Sequence, residues 1–123
     1  MKTKITIKVG NQKFTATLLA NPSANAFKAL LPLSVEMNEL NSNEKYHRLP
    51  GDLPVNAYNP RTIKSGDLMV WGSDTLVIFY ETFSTSYSYT RLGKIENPVG
   101  LATALGSGNL TVTFECPQNI DLR

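Results

Sequence analysis

The fold is decided by residues 66–93, which read GDLMVWGSDTLVIFYETFSTSYSYTRLG. Near the start of this stretch, Leu68 and Val70 alternate with the side chains on either side of them, which predicts a strand with two different faces. Residues 76–80 (LVIFY) are apolar throughout and follow the turn signal GSD at 72–74. A short apolar run bounded by turn residues is typical of a strand that is covered on both sides.

A segment rich in hydroxyls and aromatic rings follows at residues 83–90 (FSTSYSYT), and it contains no acidic residue. Phe83, Tyr87 and Tyr89 could line a pocket with apolar walls and polar tips. The alternative is a β-arch whose rings lie in the core and whose hydroxyls face water. The sequence leaves both interpretations open.

The composition predicts one domain spanning residues 1–123. This length can bury a core of its own, and the apolar fraction of 41% is ordinary for a globular protein. The formal net charge is +2 and the Lys and Arg residues are scattered, so we expect no nucleic-acid partner. No apolar segment is long enough to predict a membrane span.

The cysteine count and the first residues bear on the compartment. Cys116 is the only cysteine, so no internal disulfide can form and we expect an unpaired thiol. The chain starts directly with an alternating strand pattern rather than with the apolar core of a signal peptide. We expect a cytoplasmic protein if the chain is complete, and an exported one if a signal segment has been removed.

The first forty residues predict a hairpin, a helix and a third strand. Alternating apolar residues over 4–9 and 12–19 flank a two-residue turn signal. Asn21 followed by Pro22 is typical of a helix start, with proline in the first turn. The apolar face of this helix is predicted to comprise Ala26, Phe27, Leu30 and Leu31. Alternation at residues 33–40 then predicts the third strand.

Residues 41–65 are predicted to form a long loop, because Asn, Pro and Gly are frequent in them. The only histidine, His47, lies in this segment. A lone histidine cannot build a multi-histidine metal site, and no cysteine cluster replaces the missing ligands, so we expect neither a metal nor a cofactor. His47 could act as a general base, which requires a partner and a pocket. A solvated loop histidine requires neither.

The C-terminal part predicts a strand ending near residue 96, a short helix and a last strand at 110–114. The apolar face of the helix is predicted to comprise Val99, Leu101, Ala102 and Leu105. About seven or eight short strands joined mostly by hairpins favour a mainly β protein, a closed antiparallel β-barrel with two short helices. An open α+β sheet is the alternative.

Several segments resemble the cyclophilins. NPSANAFKAL at 21–30 is similar to the helix after their opening hairpin, and YHRLPG at 46–51 to their aromatic-His-Arg segment. LGKIENPVGL at 92–101 is similar to their late Phe-Gly-Lys-Val strand and following helix. FSTSYSYT at 83–90 makes the bacterial cyclophilin-like proteins the closer match. The resemblance covers residues 3–115 and implies a cyclophilin-like barrel.

Cyclophilins are peptidyl-prolyl isomerases, and the resemblance places Arg48 on their catalytic arginine. That arginine hydrogen-bonds the proline carbonyl and the twisted amide. The family's next segment, Phe-Met-x-Gln-Gly-Gly, is replaced here by GDLPVN at 51–56. The resemblance therefore implies a weak or vestigial isomerase as one possible function, with Arg48 as its catalytic residue.

The main functional hypothesis is a binding module for an unknown small molecule or peptide. Its site is predicted where residues 83–90 meet the 41–65 loop, since aromatic rings supply contact area and an arginine can grip a carboxylate. The predicted ligand-binding residues are Tyr46, Arg48, Phe83, Tyr87, Tyr89 and Arg91. No nucleophile motif, metal-ligand spacing or phosphate loop indicates another enzyme.

Overall fold

The alternating residues at the start of the chain form the predicted hairpin in the computed structural model, which describes residues 3–117. Strands β1 (Thr3–Val9) and β2 (Gln12–Leu18) pair antiparallel, with Ile7 opposite Phe14. These apolar side chains point into the barrel, and the polar residues between them face outward.

Helix α1 (Pro22–Lys28) begins where the sequence predicts it. The Ala24 amide donates a 2.7 Å hydrogen bond to Asn21 Oδ1, which satisfies one amide at the helix start. Phe27 is fully buried and its ring meets that of Phe114 edge-on, with 5.5 Å between centroids. The predicted packing of Leu30 is wrong: the helix ends at Lys28, and Leu30 is 43% exposed.

Eight strands close into an antiparallel barrel in the order β1-β10-β3-β4-β7-β6-β9-β2. The remaining elements are β3 (Leu33–Leu40), β4 (Glu44–Arg48), β5 (Thr62–Ile63), β6 (Asp67–Trp71), β7 (Thr75–Phe79), β8 (Phe83–Ser84), β9 (Thr90–Ile95), α2 (Leu101–Leu105) and β10 (Leu110–Glu115). Strands β5 and β8 form a separate small sheet. The predicted closed barrel with two short helices is confirmed, and the open sheet is excluded.

The prediction of a continuous loop over residues 41–65 is wrong, because β4 and β5 lie within it. Asn41 adopts a left-handed conformation with φ of 56°, which asparagine tolerates, and the chain turns back at this point to pair β4 with β3. His47 is therefore a strand residue. Its Nδ1 lies 2.8 Å from the Glu36 carbonyl oxygen.

One end of the barrel interior holds a buried lysine. Lys45 has no exposed surface, and its Nζ donates hydrogen bonds to Glu39 and to the carbonyls of Gly106 and Gly108, at 2.8, 2.8 and 2.7 Å. Tyr80 also donates to Glu39, at 2.7 Å. Because all three ammonium protons find acceptors, a charge can lie inside the barrel.

Helix α2 confirms the late helix. Leu101 and Leu105 are buried, whereas Val99 lies before the helix and is exposed, so its predicted place on the apolar face is wrong. Cys116 is exposed just after β10. Within residues 3–117, no helix is long and apolar enough to cross a membrane.

Strand β7 is covered on both faces, as its unbroken apolar run predicts. Leu76 and Ile78 point into the barrel core. Val77 and Phe79 point outward into a second apolar cluster, which also contains Ile63, Met69 and Tyr89, with Tyr46 and Phe83 packed against it. The small β5-β8 sheet contributes to this cover, so part of the barrel's outer wall has its own hydrophobic layer.

Candidate functional site

A groove of about 340 Å³ lies on the outer face of the barrel, where β4, β7 and β6 are neighbours. We call it the aromatic groove, because four of its lining residues carry aromatic rings. It is lined by Leu40, Asn41, Glu44, Tyr46, Trp71, Thr75, Val77, Tyr87 and Tyr89.

The alternation of side chains along the strands determines which residues form the floor of the groove and two of its aromatic rings. Thr75 and Val77 are on the outward face of β7, because successive side chains of a strand point to opposite faces. Tyr46 lies opposite Val77 on β4, and Trp71 lies opposite Thr75 on β6. Trp71 remains 53% exposed although it is the largest apolar side chain in the lining.

The other two rings come from the segment between β8 and β9. The backbones of Tyr58 and Tyr89 exchange two hydrogen bonds, of 3.0 and 2.9 Å. These hydrogen bonds fix the segment against the loop between β4 and β5. The Tyr89 ring meets Phe79 edge-on, with 5.3 Å between centroids. Tyr87 is 64% exposed at the rim. The groove thus combines one anchored ring with one that is largely free in solvent.

Glu44 is the charged residue of the groove. It begins β4 and is only 9% exposed. Burial, and secondarily the negative charge of Glu39, raises the pKa of Glu44 to about 7. Burial and the charge of Glu44 also raise the pKa of the Tyr89 hydroxyl. The groove therefore contains a carboxyl group that changes charge near neutral pH.

Three of the residues predicted to bind ligand come together in the aromatic groove, namely Tyr46, Tyr87 and Tyr89. Arg48 does not line it. The Arg48 side chain is 80% exposed, and its Nε donates a 2.9 Å hydrogen bond to Asp74. This hydrogen bond is the largest cause of the lowered pKa of Asp74.

Phe83 and Arg91 also lie outside the aromatic groove. Phe83, on β8 of the small sheet, packs against the second apolar cluster, with its ring centroid 5.7 Å from that of Phe79. Arg91 lines a second cleft of about 400 Å³ between the start of α1 and residues 54–58. Its guanidinium carbon is 6.0 Å from the Tyr58 ring centroid, and its Nε is buried without a hydrogen-bond partner among residues 3–117.

Sequence reasoning missed Trp71 and Glu44 as groove residues. A signal for Trp71 was present, since the alternation at 67–71 places it on the face opposite Leu68 and Val70. No comparable signal existed for Glu44, because its strand carries no apolar alternation. In the part of the chain that the structure describes, no group of three or more His, Cys, Asp or Glu residues could hold a metal ion.

The closed barrel, its order of strands and its two short helices define a class of fold, the cyclophilin-like barrel. A family model described as "Cyclophilin-like family" matches residues 7–115. The chain therefore belongs to the cyclophilin-like family.

A solved structure supports the same fold. The solution structure of the hypothetical protein AF2241 from Archaeoglobus fulgidus superposes with a TM-score of 0.63. The two sequences are 16% identical, and the match covers 93% of this chain and 94% of the archaeal one. Likeness at this identity concerns the fold alone. Neither this structure nor the family model indicates a bacterial source. A comparison with curated protein sequences found no match to the chain.

Proposed function

We propose that this protein is a binding module for a small molecule or peptide and that the aromatic groove is its binding site. The observation that carries the proposal is the exposure of both Trp71 and Tyr87 in the lining of one concave surface. Large apolar side chains that are exposed together at a concave surface often mark a ligand or partner site. The groove volume falls in the range of small-molecule sites, roughly 300–1,000 Å³.

The groove is a better candidate than the second cleft, although the second cleft is slightly larger. Val77, at the floor of the groove, belongs to a barrel strand and is fixed by hydrogen bonds on both of its sides. The second cleft is bounded on one side by residues 54–58, which belong to no strand longer than an isolated bridge. Sites on rigid elements hold a ligand with less loss of conformational entropy.

The test is a titration of isotope-labelled protein with a panel of small aromatic and aliphatic compounds and short peptides, followed by amide chemical shifts. We expect the shifts to concentrate at Tyr46, Trp71 and Tyr87. Truncating Trp71 to Ala should weaken binding by about tenfold or more, because a buried ring contributes roughly 1.5–3 kcal/mol. Trp71 is half-exposed, so its loss should leave the fold intact.

Tyr58→Ala is the matched control, since Tyr58 is an exposed ring that lines the second cleft instead. The proposal predicts that this variant binds as the wild type does. Shifts that concentrate around Tyr58 and Arg91, or a panel that produces none, would refute it.

The alternative function, a weak or vestigial prolyl isomerase, depends on Arg48. Membership of the cyclophilin-like family favours this alternative. The geometry does not, because the Arg48 guanidinium lies outside the groove lining and is already bound to Asp74. The binding function therefore has the stronger support.

A further inference from the structure

We propose that the aromatic groove recognises an organic cation, a quaternary or alkylated ammonium group, and that Glu44 is its counter-charge. This inference rests on the binding function proposed above and names the chemical class of the ligand. It follows from the combination of rings and charge in the groove lining.

The aromatic rings are the first feature of the groove that suits a cation. Tyr46, Trp71, Tyr87 and Tyr89 all line the same groove. The face of an aromatic ring is electron-rich and attracts a cation within about 6 Å, with tryptophan the strongest. An alkylated ammonium group also gains apolar contact with the rings, which a metal ion or a free hydrated ammonium does not. Several rings around one concavity therefore suit an organic cation.

The negative charge of Glu44 is the second feature of the groove that suits a cation. Within residues 3–117, Glu44 is the only charged side chain that lines the groove. The nearest cationic residues on its strand are engaged elsewhere, Lys45 with Glu39 inside the barrel and Arg48 with Asp74 at the surface. Neither of these two cations therefore competes with a ligand for the Glu44 carboxylate.

The remaining ligand classes fit less well. An anion would meet the Glu44 carboxylate without any Lys or Arg in the lining to offset it. A neutral ligand that fills the groove would remove water from the carboxylate and leave it without a partner, which is unfavourable. A cation compensates the desolvation of the ionised carboxylate most directly, because its charge is opposite.

Binding of a cation should be coupled to the ionisation of Glu44, and this coupling can be measured. Because the pKa of Glu44 is raised to about 7, part of the free protein carries a neutral carboxyl near neutral pH. The titratable groups around it are Glu39 on β3, Lys45 and Tyr46 on β4, Tyr80 after β7, and Tyr87 and Tyr89 before β9. A permanent cation favours the ionised carboxylate, so it should release a proton on binding and bind more tightly as pH rises through about 7.

The experiment compares choline with 3,3-dimethyl-1-butanol, which has the same shape without the charge. Each compound is titrated into the full chain and followed by amide shifts at about pH 8, where Glu44 is mostly ionised. We expect choline to bind in the groove at least about fivefold more tightly than the alcohol. A peptide with one trimethyllysine is measured beside the same peptide with leucine, which isolates the effect of the charge. Comparing its affinity with that of free choline tells whether a side-chain cation binds better.

Two variants locate the charge effect. Glu44→Gln should remove most of the preference for choline over the alcohol. Glu115→Gln makes the same charge change on β10, outside the groove, and should behave as the wild type. A measurement on unaltered protein serves as a second test: the affinity for choline should rise by about threefold or more from about pH 6 to pH 8, while that for the alcohol should stay level or fall.

The outcomes separate this inference from the proposed function. Equal binding of both compounds in the groove, with no effect of pH, overturns the cation assignment and leaves the binding function standing. Preference for choline that persists in Glu44→Gln also overturns the role of Glu44. If neither these compounds nor the wider panel shift groove amides, both proposals fail together.

Discussion

At the scale of single residues, Glu44 makes folding stability depend on pH. In the folded protein its pKa is raised from 4.5 to about 7 by burial and by the charge of Glu39. Between these two values the folded state keeps a proton that the unfolded chain has released. The contribution of Glu44 to stability therefore falls as pH rises through this window, and above about pH 7 the loss is complete.

Replacing Glu44 with Gln should remove this pH-dependent cost. We expect the variant to equal the wild type near about pH 4 and to exceed it by about 1–3 kcal/mol near about pH 8, since water at the groove mouth screens part of the penalty. The measurement is denaturant unfolding of both proteins across this range. The difference between the two curves is decisive, because the lowered pKa values of Asp74 and Glu96, which do not interact with Glu44, act in both proteins alike.

Glu115→Gln is again the control for the loss of one carboxylate, because Glu115 lies on β10, outside the groove. A difference between Glu44→Gln and wild type that is flat from about pH 4 to pH 8 would show that Glu44 ionises normally in the folded state.

At the scale of secondary-structure elements, helix α1 packs on the barrel core through its buried side chains, of which Phe27 is the largest. Phe27 is fully buried against Phe114, while Leu30 lies beyond the helix end and is largely exposed. Truncating Phe27 to Ala should cost about 3–5 kcal/mol, the usual effect of removing a buried ring. Leu30→Ala should cost less than about 1 kcal/mol, because most of that side chain is in water already.

Urea unfolding of the two variants tests this contrast. A small midpoint shift for Phe27→Ala would contradict the placement of the helix on the barrel. Similar shifts for both variants would show that Leu30 packs in solution as its spacing in the sequence suggests.

The elements also show why some strands could be predicted and others could not. Strands β1, β2 and β10 have apolar side chains at their inward positions and mostly polar ones between them, so their period is visible in the sequence. The inward positions of β4 carry Lys45 and His47 instead. Lys45 is buried only because Glu39 and two carbonyls from distant loops surround its ammonium group. Those partners are set by tertiary structure, so no local pattern could reveal the strand.

At the scale of the whole molecule, the barrel carries its candidate site on the outside. The fold was predictable because hairpin signals and alternation recur along most of the chain and match one family. The candidate site was predictable in part: three of the predicted residues, all tyrosines, line one groove, while Arg48 and Arg91 lie apart from them. Which outward residues meet depends on barrel closure and on the segment that bridges at Tyr58, and neither is encoded locally.

Catalysis of prolyl isomerisation makes two demands on the whole molecule. Rotation about an Xaa-Pro bond faces a barrier of about 18–20 kcal/mol, which is set by amide resonance. Lowering it requires a group that stabilises the twisted amide inside a site that excludes water. Arg48 is in water, 80% exposed, and is bound to Asp74, so its charge is screened and partly neutralised.

We therefore expect no acceleration of isomerisation above background for a standard Xaa-Pro peptide. The assay is NMR exchange spectroscopy on wild type and Arg48→Ala, with an active cyclophilin as the positive control. Both proteins should match the uncatalysed rate, because neither offers a dry electrostatic site at this position. If the wild type is clearly faster and Arg48→Ala abolishes the gain, Arg48 must leave Asp74 to reach the peptide, and the isomerase function replaces the binding function as the better account.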